Sequence, residues 1–343
     1  MWLQKPHSNT LAGEQRSRRV CDGFFASPSR AHYTEALQPS TLSTRQRLEF
    51  GFVWLLVRGL GLLPRAVART FGTGIGLFCF HLLARLRKTG LRNLQIAYPE
   101  QTVAEHTHTL RSLYLGLGHQ IAEFCCMSRY TAEFAREHVF RYEGLEHFLA
   151  AQERGNGTLV LTGHLGAWEL SSFVHSLVGY PMGMVIRRLD NPMVDEFVNR
   201  IRCLHGNRVL HKDDFARGLL RAMAKNETVG ILMDTNMTPP QGVFVPYFGV
   251  PACTASGLAR VARATGATVI PGFLLWSEAE KRYVLHFGKA LDVVRTEDAE
   301  TDALANTALF TSTIEQYVRS APEQWLWLHR RWKTRPSGEP PIY

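Results

Sequence analysis

The chain has 343 residues, 45% of them hydrophobic, which is ample for one large packed α/β domain plus an appendage. Six scattered cysteines with no Cys-x-x-Cys exclude a disulfide framework and a cysteine zinc site. Lys and Arg outnumber Asp and Glu by 39 to 30, a formal charge of +9 that favours anionic partners: phospholipid headgroups, phosphorylated glycolipids, acidic carrier proteins or nucleic acid.

In chain order, residues 1–44 mix Ser, Pro, Arg, His and Gln without periodicity and read as a disordered extension. Residues 45–142 read as a helical, membrane-associated region. Its first apolar run, Phe52 to Val57, is interrupted by Arg58, and its second covers Thr70 to Ala84 before Arg85, Arg87 and Lys88. Neither reaches the ~20 apolar residues that span a bilayer, so an interfacial helix on an anionic leaflet is expected, against the alternative of a buried helical hairpin. Gly72-Thr-Gly-Ile-Gly76 follows no strand and is rejected as a nucleotide loop. Leu91 to Tyr142 reads as helices broken at Tyr98-Pro99, with one apolar face through Leu110, Leu113, Tyr114, Leu117, Ile121 and Phe124. Glu123, His106 and His108 are expected on a solvated face.

Residues 143–336 alternate strands and helices, and 337–343 form a tail. Thr158–Thr162, apolar and bounded by glycines, reads as a buried strand that feeds a helix through a tight turn carrying His164. Strands follow near Met184–Arg187, Val209–Leu210, Thr228–Met233, Val243–Phe248, Ala267–Leu275 and Tyr283–Phe287. Helices are expected after an Asp190 or Asn191 cap with Pro192 at the first helical position, after Asp213 or Asp214, over Ala252 to Thr265 and over Ala303–Val318. The fold class is α/β, a largely parallel mixed sheet flanked by helices, behind an amino-terminal membrane-associated helical segment.

Ligands collect outside the carboxyl ends of strands in such sheets, which places His164 where a substrate goes. Glu169, five residues on, is expected to accept a hydrogen bond from one imidazole nitrogen and leave the other free as a general base. The competing reading is a structural turn histidine beside a solvated carboxylate. Asp234, at the end of a buried strand, is read as orienting a loop donor, and Asp234 and Asn236 join the substrate-binding candidates. No cluster of ligands completes a metal site, and no cofactor is expected.

Together these segments resemble the lipid A biosynthesis acyltransferases of bacterial inner membranes, a branch of the lysophospholipid acyltransferase superfamily. The resemblance rests on Gly163-His-Leu-Gly-Ala-Trp-Glu169, on Arg187-Arg-Leu-Asp-Asn-Pro192 with Arg202 and Gly206, on Gly242–Gly249, and on the tail Pro322–Pro336. One departure is Asp234-Thr235, where the family usually carries Asp-Gln. The resemblance implies that His164 deprotonates an acceptor hydroxyl, that Glu169 fixes its tautomer, and that acyl carrier protein donates the acyl thioester. It implies a phosphorylated glycolipid or phospholipid acceptor and a place on the cytoplasmic face of the inner membrane, with no nucleic acid partner. Arg187 and Arg202 become candidates for phosphate or carrier contacts, against structural pairing with Asp190, Asp195 or Glu196. The tail from Trp325 to Trp332 could stack bases, sit among lipid headgroups, or close the core with its arginines facing water. Rival readings are another polar-lipid acceptor (a lysophospholipid, an ornithine lipid or a mannosylated inositol lipid) and a non-catalytic lipid-binding protein of the same fold.

Overall fold

A computed structural model describes residues 42–211 and 215–343. The cap expected at Asp213 or Asp214 and residues 1–41 of the expected extension lie outside the described residues. Four long helices precede the sheet: α1 (Thr44–Leu62), α2 (Arg65–Leu82), α3 (Ala84–Ala97) and α4 (Val103–Met127). At the start of α4 the Thr102 hydroxyl accepts the Glu105 N–H while the Glu105 carboxylate accepts that of Thr102, a reciprocal cap that satisfies two otherwise orphaned donors. Helices α2 and α4 touch backbone to backbone. A Cβ at Gly118 would lie 2.0 Å from the Gly72 carbonyl oxygen and one at Gly76 2.3 Å from that of Tyr114, so the glycine run set aside as a nucleotide loop is a packing seam. Among the described residues no single helix is long and apolar enough to cross a membrane; α2 and α3, bent by 87°, meet that test only as a pair.

The chain then runs β1 (Phe140–Glu143), α5 (Leu145–Glu153), β2 (Thr158–Thr162), α6 (Trp168–Leu177), β3 (Gly183–Ile186), α7 (Pro192–Arg202) and β4 (Arg208–His211). It continues through α8 (Phe215–Ala224), β5 (Thr228–Leu232), β6 (Gly242–Tyr247), β7 (Val250–Ala255), α9 (Gly257–Thr265), β8 (Thr268–Ser277), β9 (Arg282–Phe287) and α10 (Ala299–Ser320). Seven strands form one sheet in the order β1-β9-β8-β2-β5-β3-β4, parallel except where β8 meets β9, while β6 and β7 make a separate antiparallel hairpin. The sheet is the mostly parallel, helix-flanked one expected. Both of its faces are buried: Leu159, Leu161, Val269 and Phe273 point into one core cluster, and Val160, Ile270 and Leu274, alternating with them, into the other.

Several local expectations are corrected. Phe140–Glu143 is a strand rather than the end of a helix, because it gains a parallel partner, β9, far along the chain. The segment read as helix from Ala252 is strand β7 as far as Ala255, paired to β6 across a two-residue turn at Phe248 and Gly249, both with positive φ. Glu123, expected in solvent, is 1% exposed and accepts hydrogen bonds from Arg65, Arg69 and Tyr130. His106 is buried too, its Nε2 3.0 Å from the Tyr98 carbonyl, while His108 is exposed.

Candidate active site

The register of the central strands builds the site. In the parallel pair β2–β5, Thr162 lies opposite Leu232, and the Met233 N–H donates to the Thr162 carbonyl at 3.0 Å. His164 and Asp234, each two residues beyond that pair, are therefore neighbours at the carboxyl edge of the sheet. The intervening Gly163 permits the approach: a Cβ there would sit 3.0 Å from the Asp234 carboxyl carbon and Oδ2.

Asp234 Oδ1 accepts from His164 Nδ1 at 2.8 Å, and Oδ2 accepts the His164 backbone N–H at 2.7 Å and the Trp325 indole N–H at 2.8 Å. Burial alone would raise the pKa of this carboxyl, but the charge of His164 and the three donors hold it down at about 2. Asp234 is thus an acceptor only, so the ring proton of neutral His164 resides on Nδ1 and Nε2 carries a free lone pair. Burial works against the His164 imidazolium, yet the Asp234 charge and hydrogen bond, with the Glu169 charge further off, leave its pKa above the ordinary imidazole value. The His164 side chain is 26% exposed against 2% for Asp234, so the imidazole meets solvent and the carboxylate does not.

The carboxyl-terminal tail locks this arrangement. A 3-10 turn at Pro322–Gln324 delivers Trp325 to the His164 loop, where Leu165 and Trp325 form an isolated antiparallel bridge. The Leu326 N–H donates to the His164 carbonyl at 2.9 Å, and the Gly166 N–H to that of Gln324 at 3.0 Å. Trp325, Trp327 and Trp332 are fully buried around Tyr247, as the core-closing reading of the tail requires. Arg331, expected to face water, is buried as well: it donates to the Cys253 carbonyl at 3.0 Å and to Thr254 Oγ1 at 2.5 Å, above the Tyr247 ring.

The expectation that Glu169 holds the imidazole is corrected: the carboxylate on Nδ1 is that of Asp234. Glu169, in the first turn of α6, is turned toward α7, where Arg202 grips it in a fork at 2.8 and 2.5 Å. Arg202 also donates to Asn199 at 2.9 Å, so its partners are neither Asp190, Asp195 nor Glu196. Asp234, expected to bind substrate, is enclosed. The Asn236 amide is tied on both sides to Thr334, at 3.0 and 2.9 Å, and its backbone N–H donates to His329 Nε2 at 2.9 Å, which makes it a strut between the β5 loop and the tail. Arg187 lies on the loop after β3, 75% exposed and 3.2 Å from Asp190. The residue with no forewarning was Trp325: one Trp among three in the tail, it is set apart only by a contact 91 residues away.

The profile of the bacterial lipid A biosynthesis acyltransferases matches residues 37–334. The chain belongs to that family. It is 30% identical over 297 residues to the lipid A biosynthesis lauroyltransferase of Escherichia coli K12, covering 86% of this chain and 94% of the relative. The palmitoleoyltransferase of the same organism is 27% identical, with 85% and 92% covered, and its myristoyltransferase 22%, with 82% and 85% covered. This acyltransferase of lipid A biosynthesis therefore carries a histidine–carboxylate pair at its sheet edge. Among its described residues no three His, Cys, Asp or Glu side chains gather to hold a metal ion. On its helical side a groove of about 610 Å³ is lined by Trp54, Val57, Phe197 and Ile201 together with Arg58 and Arg129, from α1, α7 and the end of α4.

Proposed function

We propose that this acyltransferase moves a fatty acyl chain from the thioester of acyl carrier protein to a hydroxyl of a lipid A-type phosphorylated glycolipid, with His164 as general base. Nε2 takes the hydroxyl proton as the oxygen attacks the thioester carbonyl carbon. The tetrahedral oxyanion collapses, the C–S bond breaks, and the departing thiolate takes the proton back from the imidazolium. The observation that carries this reading is the partly exposed imidazole whose inner nitrogen is fixed by a buried, ionised carboxylate. Glu169 acts on the ring through its charge, and Arg202 holds Glu169 in place. Arg187 supplies a guanidinium whose exposed pair with Asp190 is weak enough to exchange for a phosphate.

The acceptor is a membrane lipid, and two exposed apolar stripes support docking on the cytoplasmic face of the inner membrane. Leu48, Phe52, Leu55 and Leu62 on α1, and Val67, Phe71, Phe78 and Leu82 on α2, recur at helical spacing and face solvent. The formal charge of +9 suits both an anionic leaflet and an acidic carrier. Mass spectrometry of the products made by purified protein from an acyl carrier thioester and competing lipid acceptors tests the reading. The glycolipid should gain one acyl group, and gain none with His164→Ala; unchanged turnover by that variant would refute the assignment of the base.

A further inference from the structure

We propose that Trp325 is a positioning residue of this acyltransferase, its indole N–H pinning Asp234 so that Asp234 in turn presents His164 with Nε2 toward the acceptor. The inference rests on His164 being the base and assigns to the tail a task beyond core packing. Asp234 accepts two bonds from His164, one at each oxygen, which leaves the carboxylate free to tilt about the line between them. The Trp325 N–H at 2.8 Å from Oδ2 is the third point that removes this freedom. The indole itself cannot drift. Its ring lies 4.5 Å from that of Trp327 and 5.4 Å from that of Tyr247, centroid to centroid, and its backbone bridges Leu165. One short segment thus holds the carboxylate through a side chain and the histidine loop through its backbone, coupling both halves of the pair to one support.

A second tryptophan of the same cluster provides the contrast. Trp327 is equally buried and its indole N–H is also bonded, but to the Pro322 carbonyl at 2.6 Å and not to Asp234. A role in packing alone predicts that the two behave alike. The positioning role predicts that they separate.

The experiment compares Trp325→Phe with Trp327→Phe, which remove one N–H each and keep an aromatic ring. Trp325→Phe should lower kcat about tenfold with KM within roughly twofold, the scale of a lost hydrogen bond to a charged group. The carboxylate, short of one donor, presses harder on the imidazolium, so the acid limb of the rate profile should move to higher pH by on the order of half a unit. Trp327→Phe should lower thermal stability comparably and leave that limb in place. Parallel losses in the two variants with no displacement would overturn the proposal. Should neither variant fold, the wild-type protein decides by ¹⁵N NMR: the Trp325 indole resonance should titrate with the same midpoint as the His164 ring and the Trp327 resonance should not. An indole signal indifferent to that titration overturns the proposal. Because this readout needs no turnover, it separates failure of the positioning role from failure of the acyl-transfer reading.

Discussion

Glu123 and Asp234 are both buried carboxylates, and they are put to opposite uses. Glu123 on α4 accepts from Arg65 at 2.7 Å, Arg69 at 2.6 Å and Tyr130 at 2.6 Å; Asp234 beyond β5 accepts from His164 and Trp325 at 2.7 to 2.8 Å. The two carboxylates are similar in burial, and each is held by several donors, five bonds on Glu123 and three on Asp234. They differ in the partner. Guanidinium groups stay protonated at every pH a protein survives, so the Glu123 cluster is a permanent clamp, extended to the sheet by Arg69 stacking 4.2 Å over the Trp276 ring. The partner of Asp234 is an imidazole, a group that can lose its proton and that is itself partly open to solvent. Burial of a carboxylate therefore says little by itself; a titratable, accessible partner is what turns a buried ion pair into a reactive one.

The largest test of this contrast is His164→Ala, expected to cut acyl transfer by roughly 10³- to 10⁴-fold, the upper range for a lost general base, with an unaltered fold by circular dichroism. Next is Glu123→Gln, which leaves two guanidinium groups uncompensated and should cost about 3–5 kcal/mol in denaturant unfolding, with the pH profile of the remaining activity unmoved. Gly118→Ala drives a methyl against the Gly72 carbonyl and separates the helices that carry the two sides of the clamp; about 1–3 kcal/mol of stability should go, again without a kinetic signature. The smallest effect is expected from Tyr130→Phe, which removes one bond to Glu123 at a cost of about 1–2 kcal/mol in thermal unfolding. A change in the pH profile of any of the last three would break the division between clamp and reactive pair.

Much of the scaffold was legible because its signals are local. Thr158–Thr162 is a strand with the bounds its glycine-flanked apolar run suggests, and Asn191 with Pro192 starts α7 as its side chain dictates. Features created by distant pairing were not legible. Phe-Arg-Tyr-Glu at 140–143 is too short to display a period, and it becomes a strand only on meeting β9. The turn at Phe248-Gly249 lacks the usual Asn-Gly signal, so the hairpin's second strand read as the start of a helix. At the site, His164 stood out through its place after a strand, but the choice of carboxylate did not. Spacing along the chain favoured Glu169, whereas the register of β2 against β5 brings up Asp234 from 70 residues away, and Glu169 finds Arg202. Likewise, nothing local separates Trp325 from its neighbours in the tail.

The most direct measurement sets the pH dependence of kcat/KM for Asp234→Asn beside that for Glu169→Gln. His164 must be neutral to accept a proton, so the wild-type rate should climb with pH around a midpoint above the ordinary imidazole value. Asp234→Asn removes the largest influence raising that midpoint and leaves burial to act, so the limb should fall to lower pH while kcat drops steeply; Glu169→Gln should move the limb by a smaller amount in the same direction. A limb that collapses with Glu169→Gln and stays fixed with Asp234→Asn would contradict the account.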